Sequence, residues 1–298
     1  MLMQQVDVMQ LKRQHPDLYA IQRRYLWHLV ALVGLVSLYY VYFFYTYGIR
    51  SDHLISGVQQ LGRYFTRMFV WHNVMHWPFE YYFSQLAITL AIVFVGTVVS
   101  TLMALLLSFF AARNIMRGVW LKPIALGVRR LLDVLRSVDM AIWGLIFVRA
   151  IGMGPLAGAL AIIMQDSGLL GKLYAESHEA VERSPGRGLQ AVGANTVQKH
   201  RFSTFTQSLP TFLAISLYQF ESNTRSAAVL GFVGAGGVGL VYAENMRLWN
   251  WDVVMFITLM LVTVVMIMDT ISSYLRKYYI IGKTAPLYQP GSSQADMN

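Results

Sequence analysis

The 298-residue sequence contains no cysteine, which excludes disulfides, thiol catalysis, iron–sulfur clusters and cysteine-based zinc sites and leaves the redox compartment open. Charge is also scarce. Asp, Glu, Lys and Arg make up 13% of the chain, against about 25% in a typical soluble domain. No charged residue stands between Glu80 and Arg113, and residues 86–110 alone exceed the ~20 needed to cross a bilayer. A second charge-free stretch, between Arg24 and Arg50, is broken only by His28. What fills the space is apolar: 56% hydrophobic residues, with a mean hydropathy of +0.46. A soluble domain of this composition would expose far too much apolar surface. The chain reads as an all-α integral membrane protein.

The first 24 residues are polar and carry Lys12, Arg13, Arg23 and Arg24. The apolar stretch behind them is too long for a cleaved signal peptide and has no small-residue cleavage site, so residues 25–47 read as a retained first span. Six spans are expected, near 25–47, 83–111, 119–149, 154–173, 203–243 and 252–275, the third and fifth long enough to contain interfacial or broken pieces. With both termini in the cytoplasm, eighteen of the 24 Lys and Arg fall on the cytoplasmic side. The net charge of +9 is thereby explained without nucleic acid. Residues 1–82 would hold the N-terminal segment, first span and an external amphipathic helix, 83–280 the main transmembrane domain with a cytoplasmic loop at 172–201, and 281–298 a flexible tail. His72-x3-His76-x3-Glu80 has helical spacing for metal ligands, but Pro78 interrupts the helix and no further ligand follows, so no metal site is assigned.

Nucleotide motifs are missing as well. Gly234-Ala-Gly236-Gly237-Val-Gly239 has the letters of a dinucleotide fingerprint, but lacks the preceding strand and the acidic residue about twenty positions on. Gly282-Lys283-Thr284 resembles the close of a phosphate loop, but Lys277 stands where its first glycine belongs. Any ATP-driven activity must come from a partner subunit.

Two segments carry the chemistry that is present. In residues 219–239 a polar cluster (Glu221, Asn223, Arg225, Ser226) runs into Gly231, Gly234, Gly236, Gly237 and Gly239 between apolar flanks. Charge is costly in hydrocarbon and glycine weakens helices, so the pairing marks a pathway or gate. Glu221 and Arg225 stand in the favourable order for a helical ion pair. Asn223 and Ser226 would assist Arg225 if it meets an anion in transit. In residues 172–201, Leu189, Val192 and Val197 would form a small apolar ridge on two short helices hinged near Gly193. Such a loop suits a groove on another protein.

Both segments look like the permease subunit of phosphonate-type ABC importers, a family that includes phosphonate, phosphite and hypophosphite transporters. The residues carrying the resemblance are Gly171-Lys-Leu-Tyr-Ala-Glu176, Val192-Gly193-Ala194-Asn195, Leu209-Pro210 and residues 218–239. Ala111-Ala112-Arg113-Asn114, Arg136-Ser137-Val138 and Gly152-Met-Gly-Pro155-x-Ala-Gly158 extend it over about residues 83–280. It implies a type I importer membrane subunit with a five-helix core plus an N-terminal helix, in the bacterial cytoplasmic (inner) membrane. It also implies a second permease copy, identical or related, and a periplasmic or lipid-anchored substrate-binding protein. Two ATPase subunits would hold the ATP and Mg, leaving this chain without catalytic residues or a cofactor. Coupling to them would fall to Glu176, Arg187, Gly188, Leu189, Gly193 and Ala194. Aligned on Gly193, this sequence has Arg187-Gly188-Leu189 where the superfamily's loop has Glu-Ala-Ala, and Ser203-x-Phe205-Thr206 replaces its apolar-x-Leu-Pro ending. Arginine for glutamate reverses a charge at the docking surface, which fits either an ATPase with an acidic partner or weaker coupling beside a different permease. The rival class is an ion-coupled secondary transporter or channel using Asp166 and Asp269, against which stands the absence of an inverted repeat.

Overall fold

In a computed structural model, residues 16–48, 51–71, 74–116 and 118–280 are described; residues 1–15, 49–50, His72, Asn73, Arg117 and 281–298 lie outside them, and with them the expected tail and the first member of the His-x3-His-x3-Glu spacing. Helices account for nearly all of the described residues, and no strand occurs among them. We number the α-helices α1 Pro16–Thr46, α2 Ser51–Phe69, α3 Phe79–Ala111, α4 Lys122–Ser137, α5 Met140–Ile151, α6 Pro155–Ala180, α7 Ser184–Ala191, α8 Thr196–Lys199, α9 Thr206–Phe232, α10 Val238–Arg247 and α11 Trp251–Leu275. π-helical turns follow α8 (His200–Phe205) and α11 (Arg276–Ile280). The chain divides into two compact units, Met1–Thr66 and Arg67–Asn298.

The first unit holds α1, whose segment Tyr25–Thr46 is apolar and exposed at every position but Phe43, as a lipid-facing span requires. In α2, Ile55, Val58, Leu61 and Phe65 are exposed apolar residues spaced three or four apart, the pattern of an interfacial helix. Its partner in the sequence argument, the helix through His72 and Glu80, is interrupted as Pro78 dictates: His76 ends a short 3-10 turn and α3 starts at Phe79.

The second unit is organised around α3, α6 and α9. At 33 residues α3 is about 50 Å long, well beyond the hydrocarbon core. Gly96, Thr97, Ser100, Ala104 and Ser108 make a buried small-residue stripe along it. A Cβ on Gly96 would sit 2.8 Å from the Ile162 side chain of α6, so the two helices meet more closely than larger residues permit. Residues 119–149, expected as one long span with broken pieces, are two helices: α4 carries Arg129, Arg130, Asp133 and Arg136, and α5 is short and apolar. The break falls at Asp139, whose Oδ1 accepts the Ala141 N–H at 2.9 Å and starts α5. The fifth expected span breaks in the same way between α9 and α10. Four helices are long and apolar enough to cross a membrane among the described residues, in Tyr25–Thr46, Phe79–Ala111, Pro155–Ala180 and Trp251–Tyr278.

Helix α6 runs on through residues 172–180, which the sequence reading assigns to the loop. The reason is packing. Tyr174, Ala175 and His178 are buried, and the Lys172 ammonium lies 2.5 Å from Asp133 of α4. Arg136 (3.1 Å) and Arg130 (3.9 Å) complete this surface cluster. The hydrogen bond from Lys172, with the nearby arginine charges, holds the Asp133 carboxyl below its usual range. At the end of α6, Glu179 accepts from the Arg113 backbone N–H at 2.7 Å and pairs with Arg129, while Asn114 donates to the His178 carbonyl at 2.5 Å. The Ala111–Asn114 motif therefore stitches the end of α3 to the end of α6.

Candidate functional site

On α9 a run of polar side chains lies inside an apolar bundle. Glu221 is buried, and its Oε1 lies 2.9 Å from Nη1 of the half-exposed Arg225 one turn later. Its other oxygen faces Nη2 of Arg276 at 3.8 Å, at the end of α11. Two arginines on two elements thus offset the cost of one buried carboxylate. The ion pair expected from the spacing is present; the second arginine was not legible, because residues 221 and 276 are brought together only by helix packing.

Asn223 does not stand beside Arg225. Two residues on a helix are about 200° apart, so Asn223 points into the bundle while Arg225 points out. Its amide donates 2.5 Å to Oδ2 of Asp166 on α6 and 2.9 Å to Oγ1 of Thr97 on α3. Gln219, one turn earlier, donates to Asp166 Oδ1 at 2.9 Å and to Asn223 Oδ1 at 3.1 Å. Asp166 is fully buried, yet both of its oxygens accept hydrogen bonds. The network locks the three central helices at one level. Sequence reasoning reached Asp166 only as an ion carrier and passed over Gln219; the i, i+4 spacing of Gln219 and Asn223 was the available signal.

Beside this network lies a cavity of about 420 Å³ between α9, the α6 segment around Gln165 and the break at Asp139. Gln165, Gln219, Ser222, Asn223 and Ser226 supply its polar wall. Ser226 and Asn223 therefore meet at this cavity, and Arg225 does not line it.

The five glycines form the joint between α9 and α10. Gly231 and Gly239 face each other across the two helices: a Cβ on Gly231 would sit 2.5 Å from Gly239 Cα, and one on Gly239 would run into the Ala228 carbonyl. Between them the chain turns through Gly234, Gly236 and Gly237, all at positive φ. This turn meets a second one, residues 152–155: the Gly154 N–H donates to the Gly234 carbonyl at 3.2 Å, and a Cβ on Gly236 would lie 3.0 Å from Pro155 N. Thr89 of α3 closes the joint by accepting the Val238 N–H at 2.8 Å.

The loop is built as two short helices. Helix α7 ends with the Ala194 N–H bonded to the Leu189 carbonyl at 3.0 Å, Gly193 takes φ +85, and Asn195 starts α8 in a capping box with Gln198. Val192 and Val197 are 81% and 73% exposed around the hinge, with Leu189 half-buried between them and α7's inner side. Arg187 and Gly188 lie on the open face of α7, and Ala194 follows the hinge. Glu176 is exposed but stands on α6, two turns and more before α7, and so apart from the other expected coupling residues.

Solved structures share this architecture. The methionine ABC transporter MetNI, in an inward-facing form, matches with a TM-score of 0.59 at 17% identity over 67% of this chain and 97% of that one. A bacterial alginate ABC transporter bound to its periplasmic protein matches with a TM-score of 0.54 at 12% identity over 86% and 96%. The fold is that of a type I ABC importer permease. No family model matches the chain. Among curated sequences, the phosphite transport system permease protein PtxC of Stutzerimonas stutzeri is 36% identical over 192 residues, 64% of this chain and 68% of its own. The putative cryptic phosphonate transport system permease protein PhnE2 of Escherichia coli is 37% identical over 41% of this chain and 99% of its own. The phosphate-import permease protein PhnE of Mycolicibacterium smegmatis is 32% identical over 65% and 36%. The chain belongs to the phosphite- and phosphonate-type ABC transport permease family. The ATP-independent reading with Asp166 and Asp269 as ion carriers gives way to this one.

Proposed function

We propose that this chain carries a small phosphorus oxyanion (phosphonate, phosphite or hypophosphite) across the bacterial cytoplasmic membrane, with N- and C-termini in the cytoplasm. It pairs with a second permease copy, receives its substrate from a periplasmic or lipid-anchored binding protein, and couples through α7 and α8 to two ATPase subunits. ATP and Mg belong to those subunits, and this chain performs transport without covalent chemistry. The observation that carries the substrate class is the likeness to the phosphite permease PtxC across two thirds of both chains.

The half-exposed Arg225 supplies the positive charge that meets the anion, with Glu221 holding it in place. The Ser222 and Ser226 hydroxyls in the wall of the cavity supply hydrogen-bond donors along the way. The glycine joint (Gly231, Gly234, Gly236, Gly237 and Gly239) is the gate around which α9 and α10 rock. ATP-driven closure of the partner subunits moves the docked loop, and the helices switch between inward and outward openings. Arg187, Gly188, Leu189, Gly193 and Ala194 form the docking surface, with Glu176 behind it on α6.

Reconstitution with the binding protein and ATPase subunits, followed by ATP-dependent uptake of labelled phosphite and methylphosphonate, tests this reading. Uptake without ATP, or of neither anion, overturns it. Arg225→Ala should lower uptake about tenfold while the complex still assembles; unchanged uptake would reduce Arg225 to a packing residue.

A further inference from the structure

A second cavity, of about 560 Å³, lies between α7, α8, the π turn His200–Phe205 and the end of α6. Arg183, Arg187 and Lys199 line it together with the hydroxyl residues Thr196, Ser203 and Thr204. None of the three cations pairs with an acid among the described residues. Two carboxylates share the lining, and one of them is already committed: Glu179 is held by Arg129 and the Arg113 N–H. That leaves Glu182 against three cations. The side chains are also held in place. A Cβ on Gly186 of α7 would meet Lys199 Cε at 3.0 Å and Ser203 Oγ at 3.2 Å, so the lysine stem and the serine lie directly on the α7 backbone.

An excess of cations without acidic partners, beside several hydroxyl donors, is the chemistry that holds a tetrahedral, multiply charged oxyanion. We propose that this cavity binds a phosphate-class anion. Its oxygens bridge Arg183, just before α7, and Arg187 on α7 to Lys199 and the hydroxyls of the π turn, and so fasten the loop in one position against the bundle. On the reading that α7 and α8 dock the ATPase, occupancy of the cavity regulates coupling. The phosphate comes either from solution or from the headgroup of a membrane lipid.

The test uses the full complex of permease and ATPase subunits without nucleotide. Hydrogen exchange of residues 183–204 is followed in delipidated detergent as inorganic phosphate is added, and in phosphate-free nanodiscs with and without phosphatidylglycerol. Saturable slowing of exchange in either arm supports the site, and the arm that shows it names the source. Lys199→Gln and Arg183→Gln should each raise the half-saturating concentration about tenfold, and Lys199→Arg should restore it. Arg183 is exposed, so its variant keeps the test open if Lys199→Gln fails to fold. No slowing in either arm, or equal slowing in wild type and both variants, overturns the proposal. Anion-dependent slowing in a complex that takes up no phosphite would leave the site standing and sink the transport reading; uptake without slowing would do the reverse.

Discussion

Glycine does opposite work in the two regions that the sequence singles out. At the α9–α10 joint, Gly231 and Gly239 are spacers: backbone lies where their side chains would be. In the loop, Gly188 and Gly193 have open space around them, and Gly193 is set apart only by its φ of +85. One region uses the missing side chain to pack, the other to turn. The polar residues divide in the same way. Asp166, Gln219 and Asn223 are buried and fully engaged, while Arg183 and Arg187 in the loop are exposed and have no acidic partner among the described residues. The bundle is therefore expected to answer substitution with lost stability, and the loop with lost coupling.

Gly239→Ala should break the first half of that contrast most severely. Overpacking typically costs about 1–3 kcal/mol, and here backbone blocks relaxation on both sides, so a cost near the top of that range is expected. The check is the thermal midpoint and the yield of folded permease in detergent; a wild-type midpoint would refute close packing at the joint. Asp166→Leu comes next. It strips the acceptor from the Gln219 and Asn223 amides, at about 1–3 kcal/mol for each buried donor left unpaired. Asp166→Asn, which keeps an acceptor, should lose less, and equal losses would contradict the network.

Gly193→Val tests the loop. The positive φ costs a side chain about 1–2 kcal/mol locally, so the midpoint should fall by only a few degrees, whereas ATP hydrolysis and uptake should separate in the reconstituted complex. A large drop in midpoint with coupling intact would invert the comparison. The smallest effect belongs to the surface cluster on α4. Because Asp133 titrates lower in the folded chain than in the unfolded one, its stabilising contribution is complete above the ordinary carboxylate range and is lost as pH falls through and below about 4. Asp133→Asn should flatten the dependence of the thermal midpoint on pH in that acid range and leave it unaltered near neutrality.

The helices were legible because long charge-free runs have few alternatives in a membrane, and Gly193 was legible because two short polar helices need a turn. The breaks were harder to read. Arg129, Arg130, Asp133 and Arg136 lie within a stretch whose flanks are apolar enough to disguise a surface helix as part of a span. The glycines at 231–239 announced a joint, but nothing local announced that residues 152–155 would meet it. Grouping Asn223 with Arg225 followed the order of the letters, whereas helix geometry grouped Asn223 with Gln219 and, across 57 residues, with Asp166.

The buried carboxylate at Glu221 has a consequence for heredity. It takes charge from Arg225 on its own helix and from Arg276, which lies on a different element. A lineage that neutralises Glu221 leaves two arginines repelling each other at one level of the bundle, and a lineage that loses Arg276 leaves the acid with a single counter-charge. Substitutions at these two positions are therefore expected to be coupled, so that a change at the end of α11 is felt on α9.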